Sequence, residues 1–254
     1  MYRIKAFASR NIRELLRDPL SYVFCLGFPI IMLIVMTFVN ESIPEEAGMT
    51  IFRIDNLSGG IVVFGQTFIM LFMALTVSKD RSGAFLVRMY ASPMRSGDFI
   101  GGYILPMTVI SVMQSAAAFI ASHIIALITG TELSVVGTLA AIVSVIPSSV
   151  MFISFGLLFG TLFSEKAAPG LCSIVISLSS FLGGIWFDAE ATGGVMLKIC
   201  KALPFLYCTK IARSATALDF GSGSFWIPMA IVCLCASVVT VISALVFKRK
   251  MKAV

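Results

Sequence analysis

Six long intervals of this 254-residue chain contain no charged residue, and this pattern constrains the fold more than any other feature. A helix that crosses the roughly 30 Å hydrocarbon layer of a bilayer needs about 20 mostly apolar residues, and each interval is about that long or longer. The chain is 58% hydrophobic and 13% charged, so it lacks the charged shell of a soluble domain. The sequence therefore predicts an all-α polytopic membrane protein. The six predicted transmembrane helices are Ser21–Val39, Asn56–Ser78, Phe99–Thr131, Leu133–Ser164, Ala167–Phe187 and Phe220–Phe247.

The distribution of Lys and Arg predicts how these helices are oriented. Fourteen of the 19 basic residues lie before the first span, between spans two and three, between spans four and five, or after span six. Because basic residues are retained on the cytoplasmic side during insertion, both termini are predicted to lie in the cytoplasm, with the chain in the cytoplasmic membrane. The net charge of +6 comes mainly from these basic segments beside the spans, so it does not indicate a nucleic-acid partner. A cleavable signal peptide is the competing interpretation of the N-terminus, but its apolar core would normally be only about 7–15 residues.

The first 19 residues are predicted to form an amphipathic helix on the cytoplasmic membrane surface. Residues 3–17 show helical periodicity, with Phe7 on the apolar face and Arg10, Arg13 and Arg17 on the opposite face. The alternative is a basic flank that only sets the topology.

The cytoplasmic loop of residues 79–98, between spans two and three, is too long and too patterned for a plain turn. Apolar side chains alternate there with arginines, a combination typical of a docking surface for a soluble partner. The alternative is a short helix that packs back on the ends of its own spans. The candidate docking residues are Arg81, Phe85, Leu86, Arg88, Met89, Tyr90 and Pro93.

Residues 188–219, on the predicted outer side, divide at Gly193-Gly194 and at Pro204 into short helices. Their four basic residues are too closely spaced for a span that faces lipid, so the segment is predicted to re-enter the outer interface without crossing. A seventh span is the alternative. Cys200 and Cys208 lie in this segment, and only a turn at Pro204 would bring them within disulfide distance.

Most sequence signatures of nucleotide binding, ion-coupled transport and metal binding are absent. No interval matches a glycine-rich nucleotide-binding motif, and no span contains Asp, Glu, Lys or Arg away from its ends, which argues against proton- or sodium-coupled transport. The single histidine, His123, lies deep in the third span, where a hydrogen bond to a neighbouring helix is favoured over a proton relay. The six cysteines predict no metal site. Gly156-x-x-x-Gly160 in the fourth span permits a close helix contact.

Three segments together resemble the membrane subunit of type-2 ATP-binding-cassette (ABC) exporters, and the resemblance covers essentially the whole chain. They are the surface helix ending Glu14-Leu15-Leu16-Arg17-Asp18-Pro19, the loop of residues 80–93, which is similar to the family pattern Gly-Thr-Leu-Glu-x-Leu-x-x-Ser-Pro, and Leu203-Pro204-Phe205-Leu206-Tyr207. Two positions depart from the family. Val87 or Arg88 stands where the usual acidic residue is expected, and residues 183–188 lack the proline often found after the fifth span.

The resemblance implies a half-transporter that is not itself an enzyme, built as a single transmembrane domain over residues 1–254. Two identical or closely related permeases would bind two separate ABC ATPase subunits, which would carry the ATP and Mg. The substrate would be an amphipathic drug, peptide or lipid, exported from the cytoplasmic side or the inner leaflet. Glu165 and Lys166, between spans four and five, would form a second, smaller ATPase contact. The candidates for the substrate path are Phe24, Phe28, Phe68, Phe72, Ser177 and Phe181.

Three other classes of protein remain as alternatives. A secondary transporter or channel would normally show an intramembrane charge or inverted repeats, and neither is clear here. A membrane enzyme acting on lipid would need a cluster of His, Asp or Glu at one interface. A structural or sensory membrane subunit without an ATPase partner shares every compositional feature of this chain.

Overall fold

The computed structural model describes residues 2–19, 23–44, 49–83 and 96–252. All regular secondary structure in these ranges is helical, which confirms the all-α prediction. Short π-helical turns, Val23–Gly27 and Ser222–Trp226, precede the second and the last α-helix. The α-helices are α1 (Tyr2–Leu16), α2 (Phe28–Ser42), α3 (Ile54–Ser82), α4 (Ser96–Thr129), α5 (Val135–Ser144), α6 (Ile146–Leu162), α7 (Ala168–Leu182), α8 (Ala189–Thr192), α9 (Gly194–Ala202), α10 (Phe205–Thr216) and α11 (Ile227–Lys252).

The chain is a multi-pass membrane protein. Five helical stretches are long and apolar enough to cross a bilayer, and they coincide with predicted spans one to four and six. These stretches are Val23–Ser42, Ile54–Ser82, Ser96–Thr129, Val135–Leu162 and Ser222–Lys250.

The predicted fifth span is shorter than the sequence suggests. Helix α7 has 15 residues, so it rises only about 22 Å at 1.5 Å per residue, less than the hydrocarbon thickness of roughly 30 Å. The chain turns after Leu182, with a φ of 66° at Gly184, a backbone conformation that favours glycine. The total of six spans therefore stays a prediction.

Helix α3 is the centre of the bundle. Within its most apolar 18 residues 83% are buried, against 17% for the first span and 22% for the last. It packs against α2, α4, α6, α7 and α10. A helix that is apolar on all sides is stable only when other helices or lipid surround it, and here neighbouring helices provide most of that cover.

The contact between α3 and α6 depends on two glycines. A β-carbon on Gly160 would lie 2.6 Å from the carbonyl oxygen of Ala74 and 2.8 Å from Cβ of Val77, and one on Gly156 would lie 2.8 Å from Cβ of Met73. These distances are shorter than van der Waals contact. The close helix contact that Gly156-x-x-x-Gly160 permits is therefore formed, and it lies within this chain.

The predicted fourth span is two helices with a break at Val145. Pro147 stands at the start of α6, where a missing N–H is tolerated. The Gln66 amide on α3 donates to the Val145 carbonyl (3.2 Å), and the Ser148 hydroxyl donates to the Gln66 side-chain oxygen (2.7 Å). The polar groups at the break are thus satisfied inside the protein, as a bilayer requires.

The outer segment contains α8, α9 and α10, which have 4, 9 and 12 residues and are too short to span. Cys200 of α9 and Leu206 of α10 pack together across Pro204. All six cysteines are free, so Cys200 and Cys208 are not bridged. The structure forms no seventh span here, and the depth of the segment in the bilayer stays a prediction.

Substitution of Gly156 by Ala tests the α3–α6 contact. We expect Gly156→Ala to destabilise the protein by about 1–3 kcal/mol, because the added methyl group forces two packed helices apart. The measurement is the apparent Tm in mild detergent. Gly170→Ala is the control, since a β-carbon there meets nothing within 4 Å. Equal Tm values for the two variants would contradict the tight contact.

Candidate functional site

The N-terminal helix docks on the N-terminal end of α4, the end predicted to be cytoplasmic. The ring of Phe7 packs edge-on against Phe99 and Tyr103, with centroid distances of 5.4 and 4.9 Å. Gly102 leaves room for the Phe7 ring, and the Asn11 amide donates to the Gly102 carbonyl (2.9 Å). The apolar face predicted for residues 3–17 is therefore present and is partly covered by protein. Its placement along a membrane surface stays a prediction.

A buried carboxylate at the end of α3 joins this helix to the bundle. The Arg10 guanidinium donates to both oxygens of Asp80, at 2.7 and 3.0 Å. The Tyr103 hydroxyl donates to the same carboxylate at 2.7 Å. Asp80 is 4% exposed and Tyr103 is 1% exposed, so the carboxylate is almost removed from water. Bidentate pairing with arginine and a third hydrogen bond compensate that burial.

Glu14 extends the network along α1. Its carboxylate pairs with Arg10 at 2.6 Å and with Lys79 at 3.5 Å. Burial alone would lower the pKa of Arg10, but the hydrogen bond and charge of Asp80, with the charge of Glu14, raise it overall. Arg10 is therefore held fully charged at physiological pH.

The first residues of the 79–98 loop also contact the end of α6. Arg81 donates to the carbonyls of Thr161 and Phe163, the latter at 2.6 Å. The Ser82 hydroxyl donates to the Glu165 carboxylate at 3.3 Å. Helix α1, the start of the 79–98 loop and the 164–166 loop are thus connected by hydrogen bonds. They lie on the predicted cytoplasmic side, and we call this set the cytoplasmic cluster.

The structure brings some of the predicted docking residues into this cluster. Arg81 and Glu165 belong to it, and Lys166 is exposed beside it. Arg13 and Arg17 are exposed on α1 and just beyond its end. The remaining predicted docking residues, Phe85, Leu86, Arg88, Met89, Tyr90 and Pro93, lie outside the described residues.

An aromatic ladder follows one face of α3 through the bundle. The ring of Phe68 contacts three other rings, those of Phe64, Phe28 and Phe24, with centroid distances of 5.1, 5.3 and 6.2 Å. Phe64 in turn contacts Trp186 at 5.2 Å. Two of the predicted path residues, Phe24 and Phe28, therefore each contact a third, Phe68.

The other predicted path residues divide into two groups. Phe72 is one helical turn from Phe68 and belongs to the same buried cluster. Ser177 and Phe181 are exposed on α7, and no ring pair in the described part of the chain joins Phe181 to the ladder. The role of all six residues in transport stays a prediction.

On the predicted outer side, Arg213 of α10 connects three elements. Its side chain donates to the carbonyl of Asn56 in α3 and to that of Gly184 after α7, each at 3.0 Å. A β-carbon on Gly60 would lie 3.4 Å from the guanidinium, so the glycine leaves room for it. Burial lowers the pKa of Arg213 to about 10, while Asp188 and Asp55 oppose the shift. Arg213 stays charged at neutral pH and holds the outer segment on the bundle.

Sequence reasoning did not identify Asp80, Tyr103, Asn11 or Arg213 as site residues. Asn11 gave a usable signal, because a polar residue on an apolar helix face needs a buried partner. His123 did follow expectation, since its ring nitrogen lies 3.2 Å from the Thr138 hydroxyl on α5.

The long apolar helices define a multi-pass helical membrane component. The model of one family, described as ABC-2 type transporter, matches residues 2–217. The chain therefore belongs to the ABC-2 type transporters and is a membrane permease component of an ABC transporter. Membership implies association with ABC ATPase subunits. No curated protein gives a significant match.

The Arg10–Asp80 pair is tested by comparing a substitution of Arg10 with the same substitution of Arg13 on the same helix. We expect Arg10→Gln to destabilise the protein by about 2–4 kcal/mol, because it leaves a buried carboxylate without its cation. Arg13→Gln removes an exposed charge and should change stability by less than about 0.5 kcal/mol. Thermal unfolding in mild detergent measures both. Similar losses of stability in the two variants would show that stability depends on the charge of α1 and not on the Arg10–Asp80 pair.

Proposed function

We propose that the chain is one permease subunit of an ATP-driven exporter that moves an amphipathic substrate out across the cytoplasmic membrane. Both termini lie in the cytoplasm in this proposal. A second copy or a paralogue completes the membrane pathway. Two ABC ATPase subunits bind the cytoplasmic face and carry the ATP and Mg.

The Arg10–Asp80 pair is the observation that carries this proposal. An ATPase that moves a permease must act on cytoplasmic segments that are mechanically connected to the membrane helices. Asp80 lies in the last turn of the central helix α3 and is the second residue of the predicted docking loop, residues 79–98. Its pairing with Arg10 means that displacement of the loop also displaces α1, and Arg81 extends the connection to the end of α6. This arrangement supports a motor outside the chain.

The aromatic ladder supports the substrate class. Phe24, Phe28, Phe64 and Phe68 provide ring faces that suit apolar groups of varied shape. The spans of this chain carry no charge away from their ends. A path of this composition favours molecules with a large apolar part over inorganic ions.

A secondary transporter or a sensory membrane subunit without an ATPase partner is the alternative. Such a protein would have no need of a docking loop for a motor, so the two proposals differ in what binds residues 79–98.

Copurification with a double substitution tests the proposal. We expect the wild-type chain, extracted from its native membrane in mild detergent, to retain an ABC ATPase. Phe85→Asp with Met89→Asp should reduce the recovered ATPase by about tenfold or more, because charges replace the apolar docking groups. Quantitative mass spectrometry of the purified complex gives the ratio of ATPase to permease.

The matched control is Val195→Asp with Ile199→Asp. This pair has the same spacing and lies exposed on α9, on the predicted outer side. The control should keep its ATPase. Recovery of a folded permease without ATPase at every detergent strength would refute the exporter proposal and favour the alternative.

A further inference from the structure

A cleft of about 780 Å³ opens between α1 and the cytoplasmic half of α3. Its apolar lining comes from Leu15 of α1 and from Phe72 and Leu75 of α3. Arg13 and Arg17 line it on the α1 side and are exposed. The cleft therefore combines an apolar wall with an exposed basic edge at the cytoplasmic ends of the helices.

Most of the other charges in the cleft are already paired. Arg10 is paired with Asp80, and Glu14 is shared between Arg10 and Lys79. Glu165 accepts the hydrogen bond from Ser82.

Two cations of the cleft, Arg13 and Arg17, are not part of these pairs. Asp18 also lines the cleft, but it is engaged in an interaction of its own. The guanidinium groups of Arg13 and Arg17 have no ion-pair or hydrogen-bond partner in the described part of the chain. Of the charged side chains that line the cleft, those without a partner in the described part of the chain are therefore positive.

The spacing of the two arginines suits a phosphate. They are four residues apart, and the Arg17 amide donates to the Glu14 carbonyl (3.2 Å), so the helical turn continues to Arg17. Side chains at this spacing lie on one helix face. Guanidinium groups bind phosphate through paired, charge-assisted hydrogen bonds, and they keep their charge at every physiological pH.

The apolar wall leads into the membrane. Phe72 is one turn from Phe68, the centre of the aromatic ladder, which continues through Phe64 to Trp186. A ligand with its charged group at Arg13 and Arg17 would place an attached hydrocarbon chain against Phe72 and Leu75. A free anion would leave this wall exposed to water.

We propose that this cleft is a loading site for an amphiphile with one phosphate-bearing headgroup, and that such molecules are the substrate class of the exporter. The proposal rests on the function proposed above. The headgroup binds Arg13 and Arg17, and the apolar chain lies on Phe72 and Leu75 before it follows the ladder.

Binding of a monomeric probe tests the site without any ATPase. Purified permease in an uncharged detergent is titrated with dodecyl phosphate, and with dodecylphosphocholine as the zwitterionic comparison, by isothermal titration calorimetry. We expect dodecyl phosphate to bind about tenfold more tightly, with a preference that weakens as salt rises because both arginines are exposed. Arg13→Gln with Arg17→Gln should reduce the preference to about twofold or less.

The matched control is Lys198→Gln with Lys201→Gln, which removes two exposed cations from the outer helix α9. It should keep the wild-type preference. Loss of the preference in this control, its persistence in the arginine variant, or equally tight binding of inorganic phosphate would each overturn the proposal.

A transport assay separates a substrate from a resident lipid. Permease copurified with its ATPase is placed in vesicles of phosphatidylcholine containing fluorescent phosphatidic acid or fluorescent phosphatidylcholine. We expect ATP to move the anionic probe across the bilayer faster than the zwitterionic one. Binding without ATP-dependent movement would mean that the cleft only holds lipid. Absence of a copurified ATPase would refute the exporter and leave the binding result standing.

Discussion

The buried Asp80 carboxylate is the constraint around which one half of this protein, the half predicted to be cytoplasmic, is arranged. A carboxylate removed from water is strongly unfavourable unless a cation and hydrogen-bond donors reach it. Arg10 and Tyr103 come from two other helices to meet that requirement. The position of α1 is therefore determined by a charge on α3 as well as by its own apolar face.

In the predicted outer half, too, hydrogen bonds compensate a buried charge, and there the charge is positive. Arg213 is a buried cation, and backbone carbonyls of α3 and of the turn after α7 take its hydrogen bonds. In both halves a long polar side chain adds hydrogen bonds between elements that also pack on one another. Between them lies an interior of apolar and small residues, where glycines allow α3 and α6 to approach closely.

The sequence predicted features whose physical cause lies in neighbouring residues. It did not predict features that depend on residues far apart in the chain. Charge-free intervals predicted the long helices because the bilayer acts on composition. The end of α7 was missed because residues 183–187 are apolar, although the chain turns at Gly184. The break at Val145 was missed for the same reason, and only Pro147 marked it. The partner of Arg10 lies 70 positions away, a distance that no local pattern encodes. Most of the predicted docking residues lie outside the described part, so that surface rests on sequence alone.

The contact between α3 and α6 has a mechanical consequence. Two helices whose backbones touch through glycine, with no room for a methyl group, can neither slide nor rotate against each other without a clash. They form a rigid pair over residues 70–77 of α3 and 156–160 of α6. Movement within the bundle must then be taken up elsewhere, for example at the first and last spans, which the other helices of the chain cover least. Stiffness in this molecule is concentrated in one pair of helices, and compliance is left to these two spans.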